Sequence, residues 1–248
     1  DFYTGRTFDA HRFFGAHCEG DCVTFRTYAP GAQAVELAKR GLTARDIVTR
    51  ESFENAIIVH AAISGSTNAI LHLPAIAHEF GIEIDADTFE RIHKSAHYLL
   101  DVRPAGRWPS EYVYYAGGVP AIMEEVRHLL HLDVMTVTGK TLGENLDGLM
   151  AGGYYEKCAE YLKKTGVKKD DIIRPFDAPI GDKGPIAILR GNLAPEGAVV
   201  KPSAVPVEMH KALLRARPFD CEEDAIAAVI AHDIKPGDAV FIRYEGPK

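Results

Sequence analysis

The sequence predicts a mixed α+β / α/β protein, with a short β-rich stretch over residues 1–33, a mainly helical segment over 34–132 and a β/α segment over 133–248. Three observations carry this expectation. Residues 22–28 alternate apolar and polar side chains and stop at Ala29, Pro30 and Gly31, the pattern of a half-buried strand and its turn. From residue 49 to residue 132 apolar residues recur at helical spacing between capping signals. After residue 133, short apolar or alternating runs at 134–138, 186–189, 198–201 and 239–244 read as strands separated by helices.

Taken in order, residues 32–40 form a short amphipathic helix closed by Gly41, and Thr49, with Glu51 and Ser52 behind it, opens a helix carrying Phe53, Ile57 and Ile58. Helical spacing then runs over 67–80, with Gly81 as the C-cap. Asp87 or Thr88 starts the next helix, 89–96, which gives way to an extended stretch at 98–102 before Pro104. The aromatic-rich run 108–115 ends at Ala116, Gly117, Gly118, Val119 and Pro120. Pro120 falls just inside a helix over 121–132, where its missing N–H costs nothing. A strand at 134–138 leads through Gly139, Lys140 and Thr141 into a helix start, and further helices cover 154–165 and 221–232.

With 248 residues, 46% hydrophobic and 25% charged, the chain has the composition of a soluble globular protein of one large or two ordinary domains. A formal charge of −7 without any run of Lys or Arg argues against nucleic-acid or anionic-membrane partners. No apolar run is long enough to span a bilayer, and no basic region followed by an apolar one stands at the N-terminus, so a cytoplasmic location is expected. Cys18, Cys22, Cys158 and Cys221 are too few for a disulfide framework. Cys18 and Cys22 sit near His11 and His17, but no second pair at zinc-site spacing follows, so free thiols and no metal site are expected.

The stretch Ser64, Gly65, Ser66, Thr67, Asn68 stands out. A Gly among side chains that bond backbone groups suits a tight turn entering a helix, either as an anion cradle or as the start of an ordinary capped helix. Lys140, at the end of the 134–138 run, is placed to bind a carboxylate or phosphate, or else to be a solvated turn residue. It does not belong to a P-loop, because Val134 stands where the first Gly would be. The run 191–197 reads as a loop connecting two strands, and His60, His72 and His78 lack the i, i+4 spacing of a metal pair. No nucleophile elbow, zinc signature or dinucleotide fingerprint is present. The residues themselves offer binding loops, with no catalytic residue and no metal ligand assigned.

Six stretches, at 46–56, 65–69, 116–120, 136–142, 191–201 and 244–248, occur in the order seen in the dihydroxy-acid and sugar-acid dehydratase family, which residues 34–248 resemble. Val59, His60, Ala61, Ala62 and the run 133–136 resemble the sugar-acid branch, whereas 189–192 and 243–248 resemble the branched-chain biosynthetic enzyme. The resemblance implies the helical part of a cluster-binding domain followed by a C-terminal β/α swivelling-barrel-type domain. It also implies a homo-oligomeric hydro-lyase that converts 2,3-dihydroxy acids or sugar acids (aldonates) to 2-keto acids. The family uses an iron–sulfur cluster as Lewis acid on the departing hydroxyl and Mg²⁺ to gather the carboxylate. Ser64, Ser66, Thr67, Asn68 and Lys140 would then face the substrate.

The family's Cys-Asp-Lys motif and its Phe-Ser-Gly motif with the catalytic serine do not occur in this sequence. Neither the cluster nor Mg²⁺ is therefore expected on this chain alone, and activity is left open. Residues 1–33, through Phe13, Phe14, Gly15 and the run 23–30, resemble the start of the β-sandwich of a glycogen branching enzyme, as a foreign extension would. The alternative function is a non-catalytic protein that binds small acids or glucans, or acts as a scaffold.

Overall fold

The computed structural model describes residues 15–19, 22–26 and 41–245, in which helices and small sheets are mixed. Two compact units are present, one ending at Val200 and one beginning at Lys201.

In the first unit, β1 (Gly15–Glu19) and β2 (Cys22–Arg26) pair antiparallel, with Cys18 opposite Val23 and Cys22 opposite Glu19. The alternation at 22–26 thus forms its strand, while the helix expected over 32–40 lies outside the described residues. After α1 (Ala44–Ile47) comes α2 (Arg50–Ala62). The Thr49 hydroxyl accepts the Ser52 N–H at 3.2 Å and the Ser52 hydroxyl accepts the Thr49 N–H at 3.0 Å, satisfying two of the donors a helix start leaves open. Phe53, Ile57 and Ile58 are buried on it.

Next come α3 (Ala69–Glu79) and α4 (Ala86–Ser95). The start of α4 lies ahead of the expected Asp87 or Thr88. Asp85 is the cap, its carboxylate accepting the Thr88 N–H at 2.8 Å and the Thr88 hydroxyl at 2.7 Å. Apolar periodicity begins only at Phe89, so it hides the polar first turn. Residues 98–102 are extended, as expected, yet they join no sheet. Leu99 donates to the Ala62 carbonyl at 2.9 Å, which closes the end of α2, and Asp101 donates to Ile172 at 2.8 Å.

The helix expected over 121–132 instead runs as α6 (Gly118–Glu125), after α5 (Glu111–Tyr115), and tightens into a 3₁₀ turn at Arg127–Leu129. Beyond that turn the Asn55 side chain accepts the His131 N–H at 2.8 Å and donates to the His131 carbonyl at 2.9 Å, so residue 131 is held by α2. The expected strand 134–138 is a turn: Thr136 N–H bonds to the Lys140 carbonyl at 2.9 Å, and Gly139 takes φ +73°. Helices α7 (Leu142–Ala151), α8 (Tyr154–Lys163) and α9 (Lys169–Ile172) follow. The core gathers Ile57, Phe89, Leu99, Ile122, Val126 and Ile172, none more than 2% exposed.

The unit closes with the antiparallel hairpin β3 (Ala187–Gly191) and β4 (Ala194–Val200). The connecting loop expected at 191–197 shrinks to a turn at Asn192 and Leu193, with Ala194 onward already in β4. Arg190 fastens β3 to α4 through ion pairs with Asp87 and Glu90. In the second unit, β5 (Arg215–Phe219), α10 (Glu222–Ile230) and β6 (Asp238–Ile242) form a parallel pair with its helical connection. Strand β5 has no counterpart among the expected elements, because two arginines and Pro218 give it no apolar alternation.

Candidate functional site

Helix α2 ends in a Schellman motif that builds the 64–68 turn. The Gly65 N–H bonds to the His60 carbonyl at 2.9 Å and the Ser64 N–H to the Ala61 carbonyl at 3.3 Å. The left-handed position of this motif usually holds Gly, but here it is Ser64, buried and at φ +55°. Gly65 serves a different purpose: a Cβ at residue 65 would overlap the His60 imidazole. The positive φ of the turn therefore sits at Ser64, one residue before its Gly.

His60 holds the turn twice. Beyond its carbonyl, its Nε2 lies 2.8 Å from the Ser66 carbonyl oxygen, and its Nδ1 lies 3.3 Å from Nε2 of His93 on α4. His93 Nδ1 in turn receives the Ile186 N–H at 3.4 Å, just before β3. Both rings are buried, His93 at 1% exposure and His60 at 8%. Burial, with a smaller contribution from His60, lowers the His93 pKa to about 4. Gly184 does for His93 what Gly65 does for His60, leaving no room for a Cβ beside the ring. The sequence marks His60 only as one of three histidines without metal-pair spacing and gives no signal for His93; 33 residues separate the two and no local pattern links them. His72 and His78 are exposed.

At the N-terminus of α3, the N–H groups of Ala69, Ile70 and Leu71 bond to the carbonyls of Ser66, Thr67 and Asn68 at 3.0–3.1 Å. Asn68 makes no side-chain cap. The first-turn donors that an anion cradle would use are therefore engaged by the turn itself. What faces outward is the set of side chains: Ser66, Thr67 and Asn68 are exposed, and the Ser66 hydroxyl accepts the Asn68 N–H at 3.2 Å. Ser64 points inward, and its side chain interacts with the Tyr98 phenol, whose pKa is raised chiefly by burial.

Lys140 sits on a separate turn. Asn145 stitches it, donating to the Thr136 hydroxyl at 2.7 Å and accepting from the Thr138 hydroxyl at 2.8 Å. Thr141 caps α7, accepting the Glu144 N–H at 3.2 Å while Glu144 accepts the Thr141 N–H at 2.8 Å. Hydrogen bonding from the Thr141 N–H, and then from its hydroxyl, holds the Glu144 carboxyl below its usual pKa. Lys140 is exposed and lines a groove of about 560 Å³ with Thr138, Glu144 and Asn145. A second, mainly apolar cavity of about 480 Å³ lies between α2 and the 134–137 segment, lined by Asn55, Val59, His60, Ile63, Met135 and Val137. Thr136 borders both. Ser64, Ser66, Thr67 and Asn68 thus share one turn, while Lys140 lies in a groove that none of them lines.

Among the described residues no group of three or more His, Cys, Asp or Glu is arranged to hold a metal ion. Cys158 is buried in α8, and Cys221 precedes α10 in the other unit. These residues do not fit an iron–sulfur cluster or a Mg²⁺ site.

Two family profiles match this chain: dihydroxy-acid/6-phosphogluconate dehydratase N-terminal over residues 24–145, and its C-terminal counterpart over residues 171–248. The chain belongs to the dihydroxy-acid/sugar-acid dehydratase family. Dihydroxy-acid dehydratase 1 of Methanosarcina acetivorans is 46% identical over 220 residues, 88% of this chain and 37% of that protein. The dihydroxy-acid dehydratase of Caldicellulosiruptor bescii is 45% identical with the same coverage. The chain therefore spans little more than a third of the length of these relatives.

All six stretches that carry the dehydratase resemblance fall inside the two matched regions. The N-terminal match begins at residue 24, within the stretch likened to a branching enzyme, and nothing in these matches supports that likeness. No helix among the described residues is long and apolar enough to cross a membrane.

Proposed function

We propose that this chain supplies part of the substrate-facing wall of a hydro-lyase that converts 2,3-dihydroxy acids or sugar acids to 2-keto acids. The observation that carries the reading is the 64–68 turn. It is rigidly anchored at His60, yet it turns the hydroxyl and amide side chains of Ser66, Thr67 and Asn68 outward, groups suited to the hydroxyls of a polyhydroxy acid. Lys140 is read as the cation for the substrate carboxylate. In domain terms, residues 34–132 are read as part of a cluster-binding domain and 133–248 as part of a C-terminal swivelling-barrel-type domain, in a cytoplasmic homo-oligomer. The iron–sulfur cluster and Mg²⁺ of the family are assigned to residues other than those described.

A second reading is binding of a small acid or glucan without catalysis. Calorimetric titration of the full chain with D-gluconate, 2,3-dihydroxy-3-methylbutanoate and a soluble α-glucan separates the two. Binding of either acid that weakens in Ser66→Ala and Lys140→Ala supports the substrate wall. Glucan binding with no acid binding contradicts it. Keto-acid formation by this chain alone after iron–sulfur reconstitution would contradict the placement of the cluster elsewhere.

A further inference from the structure

We propose that His60 and His93 are positioning residues that hold the 64–68 turn through a one-way hydrogen-bond chain, intact only while both imidazoles are neutral. The chain's direction follows from its two ends. The Ile186 N–H can only donate, so His93 Nδ1 accepts and the His93 proton sits on Nε2. That proton points to His60 Nδ1, which must accept, and so the His60 proton sits on Nε2 and is donated to the Ser66 carbonyl, which can only accept. Both tautomers are fixed by their partners.

A second proton has no place in this arrangement. On His93 Nδ1 it would face the Ile186 N–H, and on His60 Nδ1 it would face the His93 Nε2–H. Either leaves two donors opposed in a buried site, where an unmade hydrogen bond is expensive. Gly65 lies against the His60 ring and Gly184 against the His93 ring, each without room for even a Cβ. The depressed His93 pKa agrees with this geometry.

The charged groups on the surrounding elements are engaged with other partners. On α2, Glu54 bonds Arg91 and His131. On α4, Glu90 pairs with Lys94 and Arg190, and Asp87 with Arg190. On α6, Glu124 pairs with Arg127 and Glu125 with Lys169. Asp101 pairs with Arg107, Tyr98 interacts with Ser64, and Asp182 and Lys183 are exposed. None of these appears among the causes of the His93 shift, which are burial and His60.

That the turn meets a small acid belongs to the preceding reading; the tether stands apart from it, and its test needs no ligand. In the full wild-type chain, nitrogen NMR of the imidazoles is expected to show both histidines as Nε2–H tautomers at pH 7, with His93 staying neutral well below pH 6. Amide exchange of residues 65–70, corrected for its intrinsic pH dependence, is expected to rise as His93 protonates. Two variants separate tether from packing. His60→Gln keeps a donor where Nε2 reaches Ser66, whereas His60→Asn keeps only the position facing His93. His60→Asn is expected to speed exchange of the turn at pH 7 by roughly fivefold to tenfold, the factor of one neutral hydrogen bond. His60→Gln should leave it near wild type and flatten its acid dependence. An Nδ1–H tautomer at His93, an ordinary His93 titration near pH 6.5, or equal effects of the two variants would overturn the proposal. The wild-type measurements decide it even where a variant fails to fold. Loss of acid binding with the tether intact would count against the preceding reading alone.

Discussion

His60 Nδ1 and His93 Nε2 meet at 3.3 Å inside the protein, joining α2 to α4 directly beneath the 64–68 turn. Through this contact the conformation of an exposed turn depends on residues from two other parts of the chain, and the protonation of a buried ring becomes part of its stability.

The pH dependence follows with a definite sign. His93 titrates near 6.5 when unfolded and at about 4 in the folded chain. The unfolded state thus binds more protons between these values, so the contribution is complete above about pH 6.5 and is lost as pH falls toward 4. Urea unfolding is expected to show roughly 3 kcal/mol lower stability at the acid end from this group, and His93→Phe should remove that slope, whatever it does to stability at pH 7. An unchanged slope in the variant would contradict the assignment.

Adjacent residues in the turn should respond in opposite ways. Gly65→Ala drives a methyl into the His60 ring and is expected to destabilise by roughly 2 kcal/mol or more. Ser64→Gly relieves a left-handed serine and should stay within about 1 kcal/mol of wild type, because Gly suits the position but loosens the unfolded chain. Thermal unfolding of the two variants measures the contrast.

Asn55→Ala is expected to weaken the first unit by about 2–3 kcal/mol, since both the N–H and the carbonyl of His131 would lose a buried partner. Asn55→Asp should behave differently above and below the carboxyl pKa, because the ionised form can accept from the His131 N–H but cannot donate to its carbonyl. Chemical denaturation at pH 4 and pH 7 separates these effects.

In the second unit Asp238 accepts from Arg215 at 2.7 Å, from the Lys235 N–H at 2.9 Å and from Arg217 at 3.4 Å. The Lys235 bond, then the two arginines, keep its carboxyl below the usual range despite the opposing effect of desolvation. A lowered carboxylate pKa contributes stability that is present above the unfolded pKa and fades as pH falls through the folded one. Asp238→Asn should therefore increase amide exchange in β5 and β6 at pH 7 and remove their acid sensitivity, with residues 50–62 unaffected.

Elements with strong local signals were legible in the sequence. Thr49 with Ser52, Gly81 after α3, and the apolar face of α4 each specify their element within a few residues. Elements decided by distant partners were not. The segment after α6 is held at His131 by Asn55, 76 residues away, and the 134–138 run becomes a turn because Asn145 ties Thr136 to Thr138. Strand β5 pairs in parallel with β6, which no local pattern announces. The candidate site divides the same way. The 64–68 turn was visible as composition, but the reason for its Gly was not, since the ring that excludes a Cβ belongs to His60 and is locked by His93.

The central claim, that the 64–68 turn is a ligand-facing wall, is tested most directly by amide chemical shifts of the full chain during titration with D-gluconate and with 2,3-dihydroxy-3-methylbutanoate. Saturable shifts are expected at Ser66, Thr67 and Asn68, together with Lys140, and their loss in Ser66→Ala. Saturable shifts confined to other regions, or none at these four residues for either acid, would contradict it.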